Sequence, residues 1–252
     1  MEEQAAATEP VRPMSFTEKL TNIIASPGEL FENVRLTGKT TSNWLIPWII
    51  FVVVGIILGQ LMLSNPSLTD QFGQMIRKGM EKSVQEGKMT QEQMDRAYEF
   101  ARPGSTWFRL AQTGGLAVVS FVLVFVLGLI YWLLGKSAMK ATAAYMKVVE
   151  VVGLTLFIGM LEQIVTTLLM FALDSIHATP SLGIFVSDFD MDNKLHVALS
   201  KVNAFTLWSL SVTSIGLSRL FQRDFPKVLV LVLALWLLWS IVSLFTGIRL
   251  TG

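Results

Sequence analysis

From Val228 to Phe245 the chain runs without a single charged side chain. A run of that length and apolarity is stable only in a bilayer or at the centre of a large core. Just upstream, Val202–Leu217 is also apolar, but Thr206, Ser209, Ser211, Thr213 and Ser214 stud it. Between the two lies a short cationic connector holding Arg219, Arg223 and Lys227. The pattern predicts two membrane-crossing helices joined by a basic turn, and it requires further spans to pack against.

The composition agrees: 52% of residues are hydrophobic and 15% charged, against about 25% charged in an average soluble domain. A formal net charge of +1 supplies no field for a polyanion, so nucleic acid is not an expected partner. With no cysteine there is no disulfide, thiolate nucleophile or Cys-based metal site, and two histidines, His177 and His196, leave little for zinc. The opening Met-Glu-Glu-Gln-Ala lacks the basic and apolar regions of a signal peptide.

Taken in order, residues 1–14 read as a flexible tail and 15–43 as two interfacial amphipathic helices. Ser15-Phe-Thr-Glu18 and Ser26-Pro27-Gly28-Glu29 are both spelled as capping boxes. Such helices lie in the membrane interface or pack on the membrane domain. The first span, 44–63, follows an Asn43 cap, and Gly55-Ile-Ile-Leu-Gly59 within it suits close helix packing. Residues 64–106 are polar, with six basic and six acidic side chains, and read as an extramembrane helical hairpin, Thr90 and Gln93 forming a capping box. Spans at 107–134, 148–173, 202–220 and 227–248 complete five, with an acidic connector at 174–201. The fold class is therefore all-α: a polytopic five-transmembrane-helix bundle with N-terminal interfacial helices and a hairpin insert after the first span.

Five spans put the ends on opposite sides. Arg12, Lys19, Arg35, Lys39, Lys136, Lys140, Lys147, Arg219, Arg223 and Lys227 gather on the side of the N-terminus. Lys194, Lys201 and Arg249 lie on the other with the charge-balanced loop, so the positive-inside rule puts the N-terminus in the cytoplasm and the C-terminus outside.

Four stretches carry a family likeness: Pro27-x-x-Leu30-Phe31, Trp44-x-x-Pro47, Lys140-x-x-x-x-Tyr145, and Asn203-Ala-Phe-Thr206-Leu-Trp208 running on to Gly216-Leu-Ser218. Together they resemble the Yip (Ypt-interacting protein) domain family of multispanning proteins, in its prokaryotic branch. The resemblance implies five spans, a cytosolic N-terminus and a role in membrane organisation or protein assembly.

Chemistry-bearing residues are few. Glu162 sits mid-span with Gln163 and Thr166 near it, and Asn203, Thr206 and Ser209 face it from the next span, an intramembrane polar cluster. A lone carboxylate lacks relay partners, so an interhelical clamp is the favoured reading over a proton or ion path. Asp188, Asp190 and Asp192 are weak cation candidates, without the glycine turn and distal Glu of a calcium-binding loop. No metal, cofactor, nucleophilic triad or phosphate-binding loop is expected. The expectation is a non-enzymatic scaffold or adaptor of the inner membrane, acting in membrane organisation, assembly or trafficking. Its partners would be the bilayer and other membrane proteins, a second copy included, met through Phe16, Leu20, Leu30, Phe31 and Trp44. The alternative is a transporter or channel component with Glu162 on its path.

Overall fold

The computed structural model describes residues 11–246, and among these the regular structure is helical, with one isolated bridge, Ser181 to Asn203. The start of the expected tail, the last two residues of the expected 227–248 span and Arg249 lie outside the described residues.

Two short helices come first, α1 (Phe16–Ala25) and α2 (Pro27–Leu36). The Ser15 box forms: its hydroxyl accepts from Glu18 N, and the Glu18 carboxylate accepts from Ser15 N. The second box does not. Ser26 ends α1 as well as starting α2, its N–H is spent on Asn22 O, and its side chain makes no capping bond. One residue cannot serve both helices, so the pair forms a tight corner. The corner folds Ile23, Leu30, Phe31 and Val34 inward, each about 1% exposed or less, and α2 packs along a later helix, α9 (Ala204–Phe221).

Four helices are long and apolar enough to cross a membrane: α3 (Ser42–Leu63), α6 (Thr106–Ala138), α7 (Tyr145–Leu173) and α10 (Phe225–Thr246). The expected span at 202–220 is present as α9 (Ala204–Phe221), but its hydroxyl side chains and Arg219 leave it outside that group. α7 is the hub: α3, α6 and α9 all pack on it, and its first half, Val148–Ile158, is almost wholly buried. It starts at Tyr145, three residues before the expected position, so Lys147 belongs to its first turn.

Two glycines let the hub be approached so closely. A Cβ at Gly153 would stand 2.4 Å from the Trp44 Cα, so α3 meets α7 backbone to backbone there. Pro47 cannot offer an N–H to Asn43 O, the carbonyl four residues back, and that carbonyl lies 3.0 Å from the same Cβ position. At Gly216 of α9, a Cβ would meet Val151 at 2.6 Å and Phe31 at 3.0 Å. That point knits α2, α7 and α9 together.

The polar stretch holds α4 (Pro66–Gln85) and α5 (Gln91–Ala101), which pack on each other, each burying one apolar side chain, Leu68 and Met94, with the Thr90–Gln93 box formed. α4 also grips the 174–201 connector: Ser67 Oγ donates to Asp174 (2.8 Å), Gln71 bonds Asp174 O and Ile176 N, and Lys82 pairs with Asp192. The connector contains a 3₁₀ turn, Leu182–Phe185, and α8 (Lys194–Lys201).

Candidate functional site

The most elaborate polar site lies where α2, α3 and α7 converge, around Glu150. This side chain is 1% exposed. Its Oε1 accepts from Thr40 N at 3.0 Å, and its Oε2 from Asn43 Nδ2 at 2.7 Å and Lys147 Nζ at 3.2 Å. Lys147 spends its other hydrogens on Val34 O (2.7 Å) and Gly38 O (2.8 Å), the end of α2 and the loop beyond it. Asn43 Oδ1 accepts from Lys19 Nζ of α1 at 2.7 Å. Desolvation, ahead of the neighbouring Lys147 charge, holds the Lys19 ammonium below its ordinary value, while Glu150 pulls the other way. A buried carboxylate and ammonium are costly unless fully bonded, and here both are. The network ties both N-terminal helices to the hub.

Sequence reasoning missed this site. Asn43 reads as a helix cap, but α3 begins one residue earlier and the side chain turns to Glu150 and Lys19. Lys147 reads as a turn cation, yet it is 9% exposed. The available signal was the i,i+3 spacing of Lys147 and Glu150 at the start of an apolar run.

The expected Glu162 cluster is assembled in part. Asn203 Nδ2 donates to Glu162 Oε1 at 2.7 Å, while Asn203 Oδ1 caps α9 by accepting from Phe205 N and Thr206 N. One side chain thus clamps α7 to α9 and starts α9. Gln163 points the other way: its Oε1 stands 2.9 Å from the Cβ position of Gly55 and has no partner among the described residues. Thr166 and Ser209 join no bond to Glu162. Gly59 faces the Gln112 amide of α6, so the Gly55/Gly59 face is occupied from within the chain.

The expected partner contacts divide. Leu30 and Phe31 have no exposed surface and are core residues, because the α1–α2 corner folds them under α9; they offer nothing to a second protein. Leu20 and Trp44 are half-buried, Trp44 lying edge-on to Phe121 and Phe125. Phe16 is 43% exposed, with an edge-on contact to Phe157. Asp188, Asp190 and Asp192 do not converge. Asp190 Oδ1 accepts from Asp192 N, and Asp192 binds Lys82. No group of three metal-ligating side chains occurs among the described residues. His177 and His196 instead flank the Phe189 ring.

A sequence model of the Yip1 domain matches residues 21–247, most of the chain. The chain belongs to the Yip1 domain family. Comparisons with curated proteins and with solved structures give no match. The Yip1 domain starts within α1 and ends just past α10, so the Glu150 network and the Glu162–Asn203 clamp both fall inside it, save the Lys19 arm.

Proposed function

We propose that this Yip1-domain protein is a non-enzymatic membrane scaffold or adaptor, gathering other membrane proteins during assembly or trafficking. In this reading five helices cross a prokaryotic cytoplasmic membrane, α9 included, with the N-terminus inside and the C-terminus outside. Self-association is among the contacts it would make. The observation that carries the reading is the N-terminal helix pair. A buried hydrogen-bond network around Glu150 pins the pair to the hub, more than a passive tail needs, yet the pair leaves Phe16, Ile24 and Leu36 exposed. A rigid helix pair with an uncovered apolar edge is a contact surface. The transport reading keeps Glu162, whose side chain bonds Asn203 among the described residues.

The test is mild crosslinking and pull-down from native membranes with wild type, Ile24→Ser/Leu36→Ser and Glu162→Gln. Defined membrane proteins captured by wild type and Glu162→Gln, and lost in the double variant, are the expected result. Capture unaffected by the double variant, with a defect confined to Glu162→Gln, would defeat the scaffold and move the question to proton flux in vesicles.

A further inference from the structure

A second site lies at the far end of α9, where its turn into α10 runs beside α2 from Gly28 to Arg35. These elements enclose an open cleft of about 650 Å³, a size in the range of small-molecule sites. Three arginines, Arg35, Arg219 and Arg223, line it with two carboxylates, Glu32 and Asp224. Both carboxylates are already engaged, Glu32 by Arg35 and Asp224 by Lys227 at 2.7 Å. Arg223 sends Nε and a terminal nitrogen to Met139 O, at 2.9 and 2.8 Å; this fixes its guanidinium without neutralising it. Arg219 makes no hydrogen bond or ion pair among the described residues, and its guanidinium lies 3.3 Å from the Cβ position of Gly28. A side chain at position 28 would crowd it, so the glycine leaves the fork room.

Two guanidinium groups that make no direct ion pair among the described residues, Arg219 near Glu32 and the tethered Arg223 near Asp224, thus share the walls of one cleft whose carboxylates are bonded to other cations. A guanidinium matches the oxygens of a phosphate in bidentate fashion. The cleft also opens beside the start of α10, whose apolar run begins at Val228. Basic pockets at the end of membrane helices are where anionic headgroups are held.

The geometry points to a phosphate-binding site in this cleft, with Arg219 and Arg223 holding the anion. The phosphate of an anionic lipid headgroup and a soluble phosphate share that chemistry, and the experiment separates them. This inference is independent of the scaffold reading.

The full chain is reconstituted in nanodiscs of phosphatidylcholine, alone or with a minor share of phosphatidylglycerol. Lipid retained on extraction is then counted by native mass spectrometry. Separately, the thermal stability of detergent-solubilised protein is followed as inorganic phosphate is added. Wild type is compared with Arg219→Gln, with Arg219→Lys, which keeps the charge but loses the fork, and with Lys39→Gln, an exposed cation outside the cleft. Selective phosphatidylglycerol retention that falls about tenfold in Arg219→Gln, less in Arg219→Lys and not in Lys39→Gln identifies a lipid site. Stabilisation of wild type by inorganic phosphate, absent in Arg219→Gln, identifies a soluble one. Equal losses in Arg219→Gln and Lys39→Gln would reduce the effect to general surface charge and overturn the site. So would retention and stabilisation that no variant changes.

Discussion

At the scale of single residues, Glu150 and Lys147 pose the sharpest energetic question. Both lie among apolar neighbours on the hub helix, at 1% and 9% exposure. Breaking a buried pair costs more than forming it gains, because the survivor stays charged and desolvated. Lys147→Met would also strip the ammonium donor from Val34 O and Gly38 O, leaving Gly38 O the weaker Thr40 hydroxyl at 3.3 Å. We expect Lys147→Met to lower stability by about 3–5 kcal/mol. The pair variant Lys147→Met/Glu150→Leu should lose clearly less than the sum of the two single changes. Thermal unfolding in detergent across the four-protein cycle measures both. Simple additivity would mean that each group is held by its backbone and amide partners alone. The Glu162–Asn203 contact is of another kind, since Glu162→Gln keeps an oxygen for Asn203 Nδ2 to bond, and little stability should be lost there.

At the scale of helices, the decisive contacts are close crossings and caps. Gly153 is set against the α3 backbone, so Gly153→Ala must push two helices apart, since no flexible side chain is there to yield. Gly114 and Gly115 of α6 have open space at the Cβ position, and alanine there should be neutral or gain up to about 1 kcal/mol through helix propensity. Opposite signs in one thermal-shift series are the expected outcome; a loss at all three positions would refute the crossing. The Ser15 box gives a pH prediction. Its backbone bond to Ser15 N, then the Arg12 guanidinium, hold the Glu18 carboxyl at about 2 against an ordinary 4.5. A depressed carboxyl favours the folded cap above the ordinary value, and that preference is lost as pH falls from 4.5 toward about 2. A fluorophore on Thr21→Cys, unique in a chain without cysteines, should report α1 fraying across that window. The step should vanish in Glu18→Gln, and its persistence there would exclude the box as its origin.

These helices also show what the sequence could disclose. The Ser15 and Thr90 caps were legible because a cap is written within four residues of its helix. The apolar runs of α3, α6, α7 and α10 were legible by length. Asn43 and Lys147 were not: a cap and a buried ligand have the same spelling, and only the adjacency of α3 and α7 distinguishes them. The failed Ser26 box has a similar cause, as nothing local says that α1 ends on the residue that begins α2. Glu162 and Asn203 are bonded to each other, and two strongly polar side chains in neighbouring apolar helices have few alternatives. Gln163, one residue on, turns about 100° around α7 and meets α3 at Gly55 instead.

For the whole molecule, the open issue is how a helix of 18 residues with seven hydroxyl or charged side chains fits among longer ones. Asn203 stands level with Glu162, and Gln163 beside it stands level with Gly55. From Gly55 to Leu63 α3 climbs a further eight residues, about 12 Å at helical rise. α9 therefore starts well short of the end of α3, and the connector must descend to meet it. The backbone there is bonded internally: Leu182 N to Val202 O, Ala204 N to Pro180 O, and the Ser181–Asn203 bridge. Irregular backbone at membrane depth is tolerated only when satisfied in that way. At its other end α9 overshoots, bringing Arg219 down beside Gly28. The proposed five crossings, with this offset, would make a specific labelling pattern. Single cysteines at Asp188 and Lys78 should react with an impermeant maleimide added outside intact cells. Cysteines at Glu29 and Gln222 should react only after permeabilisation, and Ser200→Cys, beside the descending connector, should react slowly from either side. Labelling of Gln222→Cys from the same side as Asp188→Cys would mean that α9 does not cross, leaving four spans and both ends of the chain on one side.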